Sequence, residues 1–199
     1  MKTILIFCCL SITGTSFAQR TYNDLMLQLD SIQVEDQKYR LMFDSVQVKH
    51  GLNSKEMNAL VKRMNTADSI NLIKVRRILD EHGWLGQEQI GVQRNGTLFL
   101  VIQHSDLPTQ EKYLPLMRQA VQDGKAQANQ LALLEDRVAL RQGKKQIYGS
   151  QIIQDMNGNY SISPIEDEAN VNKRRAAVGL QPLEEYVKRW GIDYKLPTK

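Results

Sequence analysis

The sequence predicts a mainly α fold, a single helical domain with one small β-hairpin. Apolar residues recur at a spacing of three and four along most of the chain, which is the period of an amphipathic helix. The period changes to two in one place only, around Asn157-Gly158, a dipeptide typical of a tight hairpin turn. A hydrophobic content of 42% and a charged content of 24% are those of a globular chain, not of a disordered one.

The first 18 residues have the composition of a signal peptide. Lys2 precedes an apolar stretch, and small residues around Ala18 suit cleavage after that position. We therefore expect an exported protein, periplasmic or secreted, with no membrane span once residues 1–18 are removed. The only cysteines, Cys8 and Cys9, lie in this segment, so the remaining chain would have no disulfide. The alternative is that the segment is retained as a membrane anchor.

The N-terminal part of the expected domain, residues 19–82, is predicted to be helical. Three helices are expected, over Tyr22–Val48, about Ser54–Met64 and about Asp68–His82. Gly51 ends the first, and Asn65-Thr66 offers a break between the second and the third. Asp36 is the one position of the first apolar stripe that is not apolar.

Residues 83–190 form the motif-bearing core of the same expected domain, which covers 19–199. Helices are predicted as a short buried one around Leu98–Ile102, then over about Pro108–Asp123, Ala128–Gln142, Glu168–Val178 and Pro182–Trp190. Asp167 is predicted to cap the fourth of these.

Asp136 and Arg137 interrupt an apolar helical stretch. At about 100° per residue, Arg137 falls between Leu133 and Leu134 on the core side, and Asp136 lies at the margin of the apolar arc. A buried guanidinium needs a carboxylate partner, and Asp36 is the expected one, with Asp106 or Asp167 as alternatives. The pair is either a buried ion pair that fixes helix register or part of a functional site.

The stretch before the hairpin turn holds a similar anomaly. On strict alternation, Gln151 shares an apolar face with Gly149, while Gln146 and Tyr148 share the opposite face. Gly149 leaves room for a ligand or for close approach of the backbone. Gln151 either contacts a ligand or satisfies an orphan helix end.

Gln103, His104 and Asp106 follow the buried apolar run. His104 is a candidate general base or metal ligand, and Asp106 or Asp136 could orient it. The alternatives are a core histidine satisfied by hydrogen bonds and, for Asp106, a helix N-cap before Pro108.

Arg174 and Arg175 flank the apolar line of their helix, so at least one is expected to lean inward. Together with Arg137 they could recognise a carboxylate or a phosphate. Either one taken alone is more typical of a solvated charged face.

Several classes of function are excluded by composition and motif. The net charge of +4 is mild and spread along the chain, which gives no reason to expect nucleic acid as a partner. Three widely separated histidines predict no metal site, and no phosphate-binding loop or nucleophile motif indicates a cofactor.

The order of motifs carries a resemblance. The runs HGWLG, FLVIQHSD, YLPLM, ALLEDRVALRQGKKQIYGSQ and PIEDEANVNKRRAAVGLQPLEEY resemble a bacterial family of domains of unknown function, over roughly residues 82–186. The signal-peptide form looks like proteins of the Bacteroidota. Earlier segments, DQKYR and DSINL, resemble the family more loosely. The resemblance implies no activity; it implies that motif positions fall on Gln103, His104, Asp106, Asp136, Arg137, Gln146, Tyr148, Gly149, Gln151, Asp167, Arg174 and Arg175.

Two functions fit these residues. The first is a module whose polar pocket binds a small polar or anionic ligand. The second is a hydrolase or transferase in which His104 acts as general base, oriented by Asp106 or Asp136, and Arg137 with Gln151 stabilises negative charge.

Overall fold

Helices and a single two-stranded antiparallel hairpin make up the regular structure of the residues that the computed structural model describes, 13–155 and 158–197. The helices are α1 (Thr13–Arg40), α2 (Phe43–His50), α3 (Lys55–His82), α4 (Gln87–Ile90), α5 (Val92–His104), α6 (Leu107–Gln122), α7 (Ala128–Arg141), α8 (Val171–Ala177) and α9 (Leu183–Val187). The hairpin pairs β1 (Ile152–Gln154) with β2 (Tyr160–Ile162). The predicted mainly α class with one hairpin is confirmed.

The predicted break at Asn65-Thr66 is wrong, because α3 runs without interruption from Lys55 to His82. Thr66 Oγ1 donates a hydrogen bond to Lys62 O at 2.9 Å, and Ser69 Oγ donates to Asn65 O at 2.8 Å. Each hydroxyl bonds to a carbonyl one turn earlier. These polar side chains are therefore satisfied within the helix and do not cap a new one.

The single long first helix is also wrong, because α1 ends at Arg40 and α2 begins at Phe43. Leu41 N still donates to Gln37 O, whereas Met42 N donates to Tyr39 O, only three residues back. The chain tightens there into a turn between the two helices. No residue of α2 is buried, so the apolar stripe of α1 has no continuation beyond the turn that would favour a straight helix.

Helix α5 is the centre of the helical part. It packs against α1, α3, α4, α6 and α7. Leu98 and Ile102 on α5 are fully buried, as the apolar run predicted. The largest apolar cluster surrounds this helix and includes Leu29 of α1 and Leu134 of α7. The C-terminal end of α5 therefore lies close to several other helices.

A second apolar cluster lies in the C-terminal part and consists of Ile165, Val171, Leu183 and Val187. The hairpin borders it through Ile152 and Ile162, which face each other across β1 and β2; these two residues pack against the cluster.

The hairpin turn lies where the sequence predicts it, although Asn157 is outside the described residues. Gly158 has a φ of 88° and donates its backbone N–H to Asp155 O at 3.1 Å. The period-two stretch before it does not behave as predicted: regular pairing begins only at Ile152, so residues 146–151 do not alternate between the two faces of a strand.

The helix predicted from Glu168 begins as a 3₁₀ turn over Glu168–Asn170, and α8 starts at Val171. Asp167 makes no side-chain hydrogen bond to a backbone N–H of that turn; its carboxylate accepts from Asn170 Nδ2 at 2.9 Å instead. Within the described part of the chain, no helix combines the length and apolar character that a membrane crossing requires.

Candidate functional site

Residues 146–151 form an irregular segment whose backbone is held by Asp136. Oδ1 of Asp136 accepts the backbone N–H groups of Ile147 at 2.6 Å and Tyr148 at 2.9 Å, and Oδ2 accepts that of Ser150 at 2.8 Å. Asp136 is fully buried, not at the margin of the apolar arc as predicted. Backbone N–H groups occupy both carboxylate oxygens. Asp136 therefore accepts the hydrogen bonds that the carbonyl groups of a neighbouring strand would otherwise accept.

The carbonyl groups of the same segment are held from the other side by α8. Arg174 Nε donates to Ile147 O at 2.8 Å, and Arg175 Nη1 donates to Tyr148 O at 2.7 Å. Arg175 is fully buried and lies over the ring of Tyr186 at 4.7 Å, so the prediction that one arginine of the pair leans inward is confirmed. Both guanidiniums thus bind backbone in this structure.

Gln146 closes the segment on itself. Its Oε1 accepts the backbone N–H of Gln151 at 2.8 Å, and its Nε2 donates to Ser163 O at 2.6 Å. Gly149 has a φ of 70°, and a Cβ there would lie 2.9 Å from Ile165 Cδ1 and 3.1 Å from Leu183 Cδ1. The space beside Gly149 is therefore filled by side chains of the second apolar cluster.

Arg137 has partners that differ from the prediction. Its Nε donates to Gln151 Oε1 at 2.9 Å and its Nη1 donates to Gln103 O at 3.1 Å. Among the described residues it forms no ion pair, so the predicted bond to Asp36 or another carboxylate is wrong. Burial, followed by the nearby guanidiniums of Arg141 and Arg40, lowers the pKa of Arg137 to about 10.

Gln103, Arg137 and Gln151 meet directly although they come from three separate stretches of sequence. Gln151 Nε2 donates to Ser150 Oγ at 3.0 Å, which keeps its Oε1 turned toward Arg137. Gln103 Nε2 donates to Leu133 O at 3.4 Å, while its Oε1 is buried and has no hydrogen-bond partner among the described residues. Buried acceptors of that kind are few in folded proteins.

His104 contacts Asp36, not the two carboxylates predicted to orient it. His104 Nδ1 and Asp36 Oδ1 are 3.0 Å apart, whereas Asp136 holds backbone and Asp106 caps α6 by accepting from Thr109 N at 3.1 Å. Asp36 is 1% exposed and His104 is 17% exposed. Burial raises the pKa of Asp36, but His104, Arg40 and Gln37 together outweigh it, so the pKa lies below its ordinary value.

Arg40 and Asp68 complete this group, and sequence reasoning did not single them out. Arg40 donates to both carboxylate oxygens of Asp68, at 2.9 and 2.7 Å, and its Nη1 lies 3.5 Å from Asp36 Oδ1. The signal was present in the sequence, since Asp36 and Arg40 begin and end DQKYR and Asp68 begins DSINL.

Arginines from α7 flank His104 on both sides. Arg137 donates to the carbonyl of Gln103 and Arg141 donates to that of Ser105 at 2.5 Å. The carbonyl groups at the end of a helix carry partial negative charge, which these guanidiniums satisfy. Among the described residues Arg137 and Arg141 form no ion pair, whereas the charge of Arg40 is balanced by Asp68 and Asp36, so the uncompensated positive charge at the end of α5 comes from α7.

Two concave surfaces border the group formed by Asp36, Arg40, Asp68 and His104. A cavity of about 280 Å³ is lined by His104, Asp36 and Asp68, with Asn65, Ser69 and Ser105 among its other polar groups. A larger groove of about 980 Å³ lies between α2 and the C-terminal part and is lined by Arg40, Phe43, Tyr160, Arg189 and Trp190, with Asp44, Gln47 and Val48. Arg40 lines the groove and bonds to two residues that line the cavity.

Asp36, Asp68 and His104 could also hold a metal ion, since each offers a ligand atom and these atoms lie within 4.8 Å of one another. The guanidinium of Arg40 bonds to Asp68 and lies near Asp36, so it already supplies positive charge at this place. A divalent cation would have to displace Arg40 from Asp68.

Tyr148 contributes mainly its backbone to this region. Its hydroxyl lies 3.5 Å from Glu135 Oε2, a long hydrogen bond, and burial together with the charges of Glu135 and Asp136 raises the pKa of the Tyr148 phenol.

A family model described as a family of unknown function, DUF6624, matches residues 23–199 of this chain. No curated protein and no solved structure matches the chain.

Proposed function

The chain belongs to the DUF6624 family, a family of unknown function, and we propose that it binds a small anionic ligand at the C-terminal end of α5. Arg137 and Arg141 from α7 would attract the anion, and Arg40 of α1, which is already paired with Asp68, lies nearby. Arg174 and Arg175, which the sequence suggested for this role, bind backbone carbonyls and are left out of the proposed site.

The observation that carries the proposal is the charge on Arg137. Its hydrogen bonds to Gln151 and to Gln103 O satisfy two donor groups but bring no formal negative charge. Two more guanidiniums nearby make the local potential more positive, which is why they lower the pKa of Arg137. A half-buried cation without a counter-charge is stabilised by an anion more than a solvated one is.

The geometry of Arg137 leaves a group free for that anion. Nε and Nη1 are engaged, whereas Nη2 makes no hydrogen bond to a described residue. Gln151 holds the guanidinium plane in place from one edge. A carboxylate or phosphate oxygen could then accept from Nη2 without moving the protein partners.

Anion binding can be tested by thermal denaturation and calorimetry with inorganic phosphate, sulfate and citrate at constant ionic strength. We expect at least one anion to raise the melting temperature, and Arg137→Gln to weaken its affinity about 10-fold or more. Arg77→Gln is the matched control, since Arg77 is 78% exposed and its ion pair is made within α3 with Glu81. Equal anion responses in both variants would show that the proposed site is wrong.

A second candidate, a hydrolase or transferase, is favoured by the Asp36–His104 pair. Asp36 is buried and bonded to Nδ1, while Nε2 makes no hydrogen bond to a described residue and His104 lines the smaller cavity. A histidine oriented through one nitrogen and free at the other has the arrangement of a general base. Asp36 replaces Asp106 and Asp136 in the orienting role, and Arg137 would stabilise developing negative charge.

The two candidates give different results with His104→Ala. A screen with an aryl phosphate and an aryl ester would detect turnover. If His104 is the base, His104→Ala lowers turnover by about 100-fold or more while anion binding persists. Turnover that survives His104→Ala would exclude the general-base role. Anion binding without any turnover would support the binding function and not the enzyme.

Export is proposed from the sequence. Residues 1–12 are outside the described structure, Thr13–Ala18 form the first part of α1, and the family match begins at residue 23. Cleavage after Ala18 would leave the match intact. Mass measurement of the protein from a periplasmic or culture fraction tests the proposal: an intact N-terminus there would indicate a membrane anchor or no cleavage.

A further inference from the structure

We propose that two copies of this chain associate through the exposed face of α1, antiparallel to each other, about a twofold axis that passes at Val34. The proposal is independent of the ligand site and concerns a surface on the other side of α1 from Asp36. It rests on three properties of that face: its apolar side chains, the symmetry of its charges and the groove beside it.

The apolar property is a regular row of exposed aliphatic side chains. Leu27, Val34 and Leu41 are 67%, 65% and 80% exposed and stand seven residues apart. Leu41 keeps helical geometry, because its backbone N–H donates to Gln37 O at 3.0 Å. At about 100° per residue the three fall within an arc of about 40°, and they span about 20 Å of helix. Rows of this kind favour a partner helix.

The charges beside this row are symmetric about Val34. Asp30 lies four residues before Val34 and Lys38 four residues after it, and both fall within about 40° of it on the helix. Their side chains are 42% and 51% exposed. In an antiparallel pair centred on Val34, Asp30 of each copy meets Lys38 of the other, and Leu27 meets Leu41. The surface is therefore complementary to itself.

A parallel pair would have the opposite electrostatics. Asp30 would then face Asp30, each already paired with Arg94, and Lys38 would face Lys38, so the repulsion would come mainly from the two lysines. The bidentate pair of Asp30 with Arg94, at 2.7 and 2.8 Å, holds the carboxylate in place at the rim of the face. The observed charges thus favour the antiparallel arrangement.

A groove beside the row leaves room for side chains of the second copy. Its volume is about 740 Å³, and it is lined by Val34 and Leu41 together with Gln33, Gln37, Gln93, Arg94, Asp30 and Lys38. Its floor and rim come from α1 and the first turn of α5. Since the apolar row is short, the association is expected to be reversible and to depend on concentration.

Sedimentation velocity over about a 100-fold range of protein concentration is the first test. We expect the mass to rise toward twice that of one chain, and Val34→Glu to remain monomeric because two carboxylates would meet on the axis. Ile73→Glu is the matched control, since Ile73 is an aliphatic side chain of α3 with 72% exposure. A monomer at all concentrations, or the same loss with Ile73→Glu, would overturn the proposal.

Cysteine cross-linking tests the register, after replacement of Cys8 and Cys9 by serine. Under mild oxidation Val34→Cys is expected to form a disulfide-linked dimer, whereas Leu27→Cys alone forms little. A mixture of the Leu27→Cys and Leu41→Cys chains is expected to give the linked heterodimer. Efficient linkage of Leu27→Cys with itself would instead indicate a parallel pair and contradict the proposed axis.

Discussion

The carboxylate of Asp136 lies 2.6 Å from the backbone nitrogen of Ile147 and accepts its hydrogen bond, as a carbonyl of a neighbouring strand would. Tyr148 and Ser150 donate to the same carboxylate. Asp136→Asn exchanges one accepting oxygen for an N–H donor facing a backbone N–H. We expect the free energy of unfolding, measured with urea, to fall by about 3 kcal/mol or more.

The control for this prediction is Glu185→Gln, which removes an exposed ion pair with Lys188. That change should stay within about 0.5 kcal/mol. Equal losses in the two variants would mean that the carboxylate of Asp136 contributes no more than a surface charge.

Gly149 and Gly143 offer a comparison of two alanine substitutions at nearly the same backbone angle. Their φ values are 70° and 75°. A Cβ at Gly149 would lie 2.9 Å from Ile165, whereas one at Gly143 meets nothing within 4 Å. We expect Gly143→Ala to lower the free energy of unfolding by about 1 kcal/mol and Gly149→Ala by at least about 1 kcal/mol more. Thermal unfolding monitored by circular dichroism measures the difference, and equal losses would contradict the close contact.

Arg137→Met is expected to keep the fold and lose the ligand. Arg137 has no carboxylate partner among the described residues, and Gln103 O keeps a second donor, Gln110 Nε2 at 2.8 Å. The free energy of unfolding should therefore change by no more than about 1 kcal/mol, because removal of a desolvated charge offsets the lost hydrogen bonds. Urea unfolding measures this change. A loss of several kcal/mol would show that a counter-charge is stranded after all.

The acid limb of the stability profile should depend on Asp36. Burial raises its pKa, but His104, Arg40 and Gln37 hold it below the ordinary 3.8. A lowered pKa in the folded state stabilises the protein above the ordinary pKa, and this contribution is lost as pH falls through the folded value. Asp36→Asn should therefore show a shallower loss of unfolding free energy below about pH 4. Parallel curves for the two proteins would contradict this linkage.

The sequence predicted the helices well where apolar periodicity and glycine agreed. Gly51 and Gly83 end α2 and α3, and the buried run around Leu98 lies in α5. The prediction failed where a polar residue is compatible both with the interior of a helix and with a helix cap. Thr66 bonds within α3 as readily as it would cap a new helix, and the pattern cannot distinguish the two.

The sequence identified residues of the candidate site but not the contacts that they make with one another. A period identifies which side chain is out of place, as with Asp36, Asp136 and Arg137. It does not say which distant group approaches. Arg40 lies beside Asp36, the first carboxylate that the sequence assigned to Arg137, and its position depends on the packing of α1 against α3. That packing was not predictable from spacing along a single helix.

The irregular segment 146–151 has a consequence for solvent exchange. The amide hydrogens of Ile147, Tyr148 and Ser150 bond to a buried carboxylate on α7, and the carbonyls of Ile147 and Tyr148 are bound by arginines of α8. These groups therefore cannot open without leaving a charged side chain unpaired in the interior. A stretch without helix or strand would then keep its deuterium-exchange protection as long as the helical core does. The amides of Ile147, Tyr148 and Ser150 would exchange only when the whole chain unfolds.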